Sequence, residues 1–347
     1  MPGTIQDRSG WYSRLTRQRT RTMETRALGK SGLQVSLVGL GCMNFGLMND
    51  QVQATAIVNR AIELGVNFFD TADVYGNRGT AEEYLGKALG ARRADFLIAT
   101  KFAGPMSSEH AWMQGGSRRW IIRAVEGSLR RLGTDYIDLY QMHRADTAVS
   151  IEETLRALDD LVRQGKVRYV GCSNYAAWQI ADAAWTSREQ HLSAFVSAQN
   201  RYSVLSRDLE REVVPAVSHF GLGILPYFPL ESGLLSGKYV PGKDFPADSR
   251  LLKWGAWAAS AFASPDKLAQ VARLFALSDR FSHSMLELAM GWLAGKPWVS
   301  SVIAGVTTVQ QLEQNVAAVA WRGSAEELAE IDKISPPPGT GFPAPGR

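Results

Sequence analysis

Gly65-Val66-Asn67-Phe68-Phe69-Asp70-Thr71-Ala72-Asp73-Val74-Tyr75-Gly76 carries the pattern that decides the fold of this chain. An apolar run of β character stops at Asp70, and Tyr75 follows in a loop punctuated by glycine. A carboxylate at the end of a buried strand needs a partner, because an unpaired charge there is strongly unfavourable or takes up a proton. Two later runs end in the same manner: Phe96-Leu97-Ile98-Ala99-Thr100-Lys101 and Tyr136-Ile137-Asp138-Leu139-Tyr140-Gln141-Met142-His143. Three consecutive strands thus end in Asp, Lys and His. In a barrel of parallel strands all such ends share one rim, so Asp70, Tyr75, Lys101 and His143 are expected to meet there.

The chain on either side supports a barrel. Thr25–Leu28 and Leu33–Ser36 flank a Gly-containing turn and read as a β-hairpin. Strand-like runs then alternate with amphipathic segments. The strands are Leu37–Met43, Val66–Phe69, Phe96–Thr100, Tyr136–Met142, Val167–Cys172, Phe195–Ala198, Leu222–Phe228 and Val299–Ile303. The helices are Val52–Leu64, Ala81–Leu89, Arg118–Leu132, Ile151–Arg163, Ala176–Thr186, Leu209–Phe220, Pro265–Leu277, Ser284–Leu293, Val309–Val319 and Ala325–Ile334. Ser150 reads as an N-cap with Glu153 completing a capping box, and Pro215 should kink its helix or mark the true beginning. Such alternation predicts a (β/α)₈ TIM barrel over residues 23–335, its bottom capped by the hairpin. A doubly wound open sheet is the alternative; Gly39-Leu40-Gly41-Cys42-Met43 lacks the third glycine of its dinucleotide fingerprint. Long connections after strands three (Phe102–Gly116) and seven (Pro229–Ser264) carry Met106, Trp112, Met113, Tyr239, Phe245, Trp254, Trp257 and Phe262. These side chains either wall an apolar pocket or pack the loops onto the barrel.

Charge is unevenly placed. Residues 1–22 hold five arginines against one aspartate, which accounts for the whole net charge of +4. The neutral remainder offers no argument for nucleic-acid binding. The arm reads as a disordered extension, with an organelle-targeting segment or a surface-binding tail as alternatives, and 336–347 as a Pro-rich tail. No stretch resembles a signal peptide or a membrane span. Cys42 and Cys172 lie in apolar runs, which fits small hydrophobes in a reducing, cytoplasmic setting. The five histidines show no paired metal-ligand spacing, so no metal is expected.

The rim residues suit one chemistry. A phenol is a poor acid near neutrality. A nearby ammonium stabilises the phenolate, and a carboxylate holds that ammonium in place and charged. Tyr75 tuned by Lys101 and Asp70 could then move a proton, while His143 orients a carbonyl oxygen. Proton transfer to a carbonyl oxygen needs a hydride or carbanion partner, which implies a redox cofactor or an isomerase-type reaction.

Gly65–Gly76, Thr100-Lys101, Gln141-Met142-His143, Gly171-Cys172-Ser173-Asn174-Tyr175, Gln199-Asn200, Tyr227–Tyr239 and Ile303–Asn315 together resemble the aldo-keto reductases, nearest the bacterial and potassium-channel β-subunit-like branches. The resemblance runs from about Ala27 to Ile334. It implies an NAD(P)H-dependent oxidoreductase acting on a small aldehyde or ketone. It also implies Tyr75 as proton donor, Lys101 and Asp70 as its tuning pair and His143 as the carbonyl-orienting group. By the same resemblance Ser173, Asn174 and Gln199 would bond the nicotinamide carboxamide and Tyr227 would stack on the ring. Leu230, Gly233, Leu235, Ser236 and Lys238 match the loop that wraps the pyrophosphate. Gly305, Thr307, Gln311, Gln314 and Asn315 match the segment gripping the adenosine. The chain departs from the pattern at Phe228, where a Ser is common, and at Gly305, Val306 and Gln311, where many members place Lys, Ser or Arg. NADPH with NADH as a possible second cofactor follows, since a 2′-phosphate is usually held by cations. A slowly turning cofactor-sensing subunit is the alternative function. Substrate and oligomeric state stay open.

Overall fold

The structure, a computed structural model, describes residues 23–239, 245, 252 and 262–339. The arginine-rich segment 1–22, the loop residues Trp254 and Trp257 and the tail from 340 onward lie outside the described residues.

Short apolar runs form strands, and the segments of helical period between them form helices. β1 (Thr25–Ala27) and β2 (Gln34–Ser36) pair antiparallel. Eight further strands follow: β3 (Val38–Gly41), β4 (Phe68–Asp70), β5 (Leu97–Phe102), β6 (Ile137–Met142), β7 (Val167–Ser173), β8 (Phe195–Arg201), β9 (Gly223–Tyr227) and β10 (Val302–Gly305). They lie parallel in the order β10-β3-β4-β5-β6-β7-β8-β9. The backbone N–H of Ile224 donates to Trp298 O at 2.9 Å and that of Ser300 to Ile224 O at 3.0 Å, drawing β9 to the segment entering β10. The result is the expected (β/α)₈ barrel. The helices are α1 (Gln51–Glu63), α2 (Tyr75–Leu89), α3 (Arg118–Leu132), α4 (Ile151–Arg163), α5 (Ala177–Glu189), α6 (Val213–Phe220), α7 (Pro265–Arg280), α8 (Met285–Ala294), α9 (Val309–Ala318) and α10 (Ala325–Ile334).

Local chemistry explains most boundaries. Asp50 with Gln53, Ser284 with Glu287 and Ser324 with Glu327 form capping boxes at α1, α8 and α10. Two readings need correction. Ser150 caps α4 through the N–H of Glu152, and Glu153 turns away to accept from the N–H of Arg118, so the expected box does not form. The helix expected over Leu209–Phe220 begins at Val213 after a 3₁₀ turn, with Pro215 in its first turn, where a missing N–H costs little. The helix expected over Ala81–Leu89 forms there, preceded after Tyr75 by four residues of positive φ, Gly76–Gly79.

Side chains alternate along a strand, and this alternation builds the site. Phe69, Ile98 and Tyr140 join the apolar layer beneath the helices. Phe68, Ala99 and Leu139 form a different cluster, with Leu28 and Val35 of the hairpin and with Leu225 and Ile303. The hairpin therefore plugs the barrel floor. Its turn lies so close to the barrel that a Cβ on Gly29 (φ 58°) would sit 2.4 Å from Gly221 O. Two residues beyond each floor residue come Asp70, Lys101 and Gln141, the next inward layer.

Asp138 braces β5 and β6 from outside that layer, accepting from Arg93 at 2.7 Å and from the N–H of Ile98 at 2.9 Å. Asp138→Ala strands a largely buried guanidinium, so the expected loss of stability in urea denaturation is about 3–5 kcal/mol.

Candidate active site

The inward layer above the floor is polar. Asp70 ends β4 and Lys101 lies near the end of β5, the first almost fully and the second fully buried. Lys101 Nζ donates to Asp70 Oδ2 at 2.7 Å and to Thr71 O at 2.8 Å. The other carboxylate oxygen, Oδ1, accepts from Gln199 Nε2 at 2.8 Å and from Gln141 Nε2 at 3.3 Å. Four strands are thus joined through one carboxylate. The backbone N–H of His143 donates to Phe102 O at 2.9 Å, which extends the pairing of β5 and β6 just past the sheet. Its imidazole meets the Tyr75 ring edge-on at 5.7 Å, and Lys101 Nζ lies 5.1 Å from the centre of that ring. The structure brings Asp70, Tyr75, Lys101 and His143 together on one rim.

Protonation states follow from burial and charge. Burial works to neutralise Lys101, but Asp70 and Tyr75 outweigh it and the ammonium is held above its ordinary pKa. Burial pushes the Tyr75 phenol up; Lys101 pulls it down, by less. The expected lowering is therefore present but overridden, and the phenol keeps its proton at neutral pH. Burial, then Lys101 and Arg144, push His143 down to about 3. The site offers a protonated phenol beside a neutral imidazole, whose Nδ1 is buried without a hydrogen-bond partner among the described residues. A phenol and an imidazole in edge-on contact can together bind and protonate an oxygen.

The residues expected to hold a cofactor extend along the same rim. Ser173 ends β7, and Asn174 (φ 59°) follows with Nδ2 donating to His143 O at 3.0 Å and to Ser173 Oγ at 3.1 Å. Tyr227 Oη donates to Asn174 Oδ1 at 2.6 Å. Past β9, Leu230 leads into a tight 3₁₀ stretch, Glu231–Ser236, in which Ser236 Oγ donates to Gly233 O at 2.6 Å. Leu235 is buried in the core, so only its backbone is offered. Exposed Lys238 lies along Gly233, where a Cβ would stand 3.2 Å from Lys238 Cε. On the last strand, Gly305 is exposed, and Gln311 Oε1 accepts from Thr307 N–H at 2.8 Å and from its hydroxyl at 3.1 Å. Gln314 is half-buried and Asn315 buried on α9.

Residues 37–336 match the model of the Aldo/keto reductase family. The chain belongs to that family. Proteins similar in sequence to this chain include the "Uncharacterized oxidoreductase YrpG" of Bacillus subtilis (strain 168), 36% identical over 326 residues, covering 91% of this chain and 97% of that protein. The "Probable voltage-gated potassium channel subunit beta" of Oryza sativa subsp. japonica is 38% identical over 86% of this chain and 91% of its own length. The "L-glyceraldehyde 3-phosphate reductase" of Escherichia coli (strain K12) is 33% identical over 90% and 92%.

The rim of this aldo/keto reductase family member suits a nicotinamide dinucleotide. Ser232 Oγ is buried without a partner among the described residues, in the loop that meets pyrophosphate in the resemblance. Lys238 supplies a cation beside it. Four features escaped the sequence reading: Ser232, the buried carboxylate of Glu231, the Thr71 carbonyl and Gln141. Glu231 pairs with Arg201 and, at 3.3 Å, with Lys267, and accepts from Ser203 Oγ at 2.8 Å. Only Gln141 had a legible signal, since it stands two residues past the inward Leu139. The aromatic loop residues that are described pack the loops: Trp112 lies under Arg119 (4.0 Å) and edge-on to Trp120, and Tyr239 and Phe262 are buried in the core.

No helix among the described residues is long and apolar enough to cross a membrane.

His143 has a testable linkage. Its folded pKa of about 3 lies below the ordinary 6.5, so the unfolded chain takes the proton first and stability falls as pH drops through that window. His143→Asn should flatten the stability–pH curve between those two values, measured by urea midpoints across the window.

Proposed function

We propose that this chain is an NAD(P)H-dependent oxidoreductase that reduces an aldehyde or ketone to an alcohol, or runs the reverse reaction. The observation that carries the reading is the convergence of a protonated Tyr75, a neutral His143 and a Lys101 ammonium held by Asp70. A nicotinamide dinucleotide held on this rim would supply or accept the hydride at the carbonyl carbon. Tyr75 Oη gives its proton to the developing alkoxide. Lys101 stabilises the phenolate left behind, and Asp70 keeps Lys101 charged and in place. His143 donates to the carbonyl oxygen and orients it. Ser173, Asn174 and Gln199 would hold the carboxamide, Tyr227 would pack on the ring, and Leu230, Gly233, Leu235, Ser236 and Lys238 would hold the pyrophosphate. Gly305, Thr307, Gln311, Gln314 and Asn315 would hold the adenosine. Residues 301–321 contain no Lys or Arg, and Gln311 is folded back on Thr307, which supports use of NADH as well as NADPH. The substrate is a small carbonyl compound, and the setting is cytoplasmic.

A second reading is a cofactor-sensing subunit with slow turnover. The similarity to the protein named a probable potassium channel subunit beta favours it. Steady-state oxidation of NADPH across a carbonyl panel, set against a single turnover of bound cofactor, separates the two.

Tyr75→Phe should lower kcat by about 10²–10⁴ while leaving cofactor affinity near wild type. Full retained activity would remove Tyr75 from the chemistry. The dissociation constants of NADPH and NADH should lie within about a hundredfold, roughly 2.7 kcal/mol, and a larger preference for NADPH would overturn dual use.

A further inference from the structure

The backbone that presents Tyr75 is one that side-chain-bearing residues adopt reluctantly. Gly76, Asn77, Arg78 and Gly79 follow it with φ of 62°, 61°, 67° and 126°. Asn77 and Arg78 have a Cβ, so a left-handed turn there persists only where surrounding structure holds it.

Gly76 packs on Phe45 O, where a Cβ would fall 2.4 Å away, and a second support lies on the outer side of β5. Gly79 rests on Arg131 of α3, where a Cβ would fall 2.4 Å from Arg131 Cδ and 2.7 Å from its Nε. That Nε donates to Glu82 Oε2 at 2.7 Å, and Glu82 is fully buried on α2. The other oxygen, Oε1, accepts from Thr100 Oγ1 at 2.6 Å. Thr100 immediately precedes Lys101. One buried carboxylate therefore ties the turn that carries Tyr75 to the strand that carries Lys101.

Arg131 also donates from Nη2 to Ser128 Oγ at 3.4 Å and acts on the nearby Asp73. Asp73 is buried, with neither carboxyl oxygen bonded to a described residue, and its backbone N–H donates to Lys101 O at 3.0 Å. Burial, and after it Glu82, pushes the Asp73 carboxyl well up, against a smaller downward pull from Arg131. The buried Tyr140 hydroxyl is also unpartnered among the described residues and is pushed up by burial, Asp73 and Glu82. The cluster thus holds the Glu82–Arg131 ion pair beside two acids whose protonated forms burial favours.

We infer that Glu82 and Arg131 are positioning residues for Tyr75, their ion pair locking the left-handed turn Gly76–Gly79 and setting the approach of Tyr75 to Lys101. The inference rests on Tyr75 as the proton donor, yet the approach of Tyr75 to Lys101 can be read without turnover.

The test compares Arg131→Met, Arg131→Lys and wild type, each also carrying Tyr75→Phe as its blank. Ultraviolet difference titration then reports the Tyr75 phenol alone. In Arg131→Met the phenol should titrate higher than in wild type, because the influence of Lys101 weakens, and Arg131→Lys should bring it partly back. For a carbonyl that wild type reduces, kcat in Arg131→Met should fall on the order of a hundredfold, the scale of a misplaced catalytic group. Substrate KM and cofactor affinity should stay within about twofold. An unchanged phenol titration, with kcat per folded molecule unchanged, would overturn the inference even if the melting temperature dropped. Should Arg131→Met fail to fold, Glu82→Gln keeps the shape, removes the charge and is read by the same titration. Absence of carbonyl reduction by wild type would count against the proposed function, while the titration would still decide this inference.

Discussion

The ion pair between Asp70 and Lys101 is the constraint on which the rest of the rim depends. Taking two charges out of water costs several kcal/mol for each ion and is tolerated only with good geometry and satisfied hydrogen bonds. Here the ammonium donates to Asp70 and to the Thr71 carbonyl, and the second carboxylate oxygen receives two amide N–H groups. Those amides, Gln141 and Gln199, come from β6 and β8. The desolvation penalty is therefore met by four strands at one height of the barrel, and a shift of any one of them would leave a buried charge under-bonded.

One ammonium then acts, alongside the larger effect of burial, on the protonation of two neighbours. Lys101 pulls the Tyr75 phenol down against a larger upward push from burial, and it adds to the burial that keeps His143 neutral. A positive charge close to both favours the phenolate and disfavours the imidazolium. The direction is the same for each, loss of a proton. Before reaction, however, it leaves different groups: a phenol still able to donate and an imidazole unable to carry charge. Asp70 matters because without it burial would drive Lys101 toward the neutral amine, and both effects would vanish.

Why the barrel and the rim were legible is a matter of period and of exceptions to it. Apolar runs of β character alternating with helical segments gave the architecture, and helices such as Arg118–Leu132 and Ile151–Arg163 lie where their apolar spacing puts them. Asp70, Lys101 and His143 stood out because an ionisable residue closing a buried run has to be explained. Gln141 drew no such attention, because a neutral amide in a strand raises no question of charge, although its place two residues after Leu139 puts it in the same layer. Glu82 and Arg131 were illegible for another reason: they are 49 positions apart, on separate helices that each look like ordinary surface-charged helices in the sequence. The left-handed turn was hidden too, since Gly76 and Gly79 announce a bend but Asn77 and Arg78 adopt it only under tertiary constraint.

The strand period places two buried ionic systems back to back. In β5, Thr100 and Lys101 are adjacent and must face opposite sides. Inward, Lys101 meets Asp70; outward, Thr100 meets Glu82 and through it Arg131. A displacement of β5 at this point disturbs both systems together, because neither residue can move without the other. The inner pair sets the charge that Tyr75 feels, and the outer pair holds the turn from which Tyr75 projects. Tuning and placement of a single phenol are thereby referred to one pair of neighbouring backbone positions, which ties the energetic cost of mispositioning Tyr75 to that of breaking a buried ion pair.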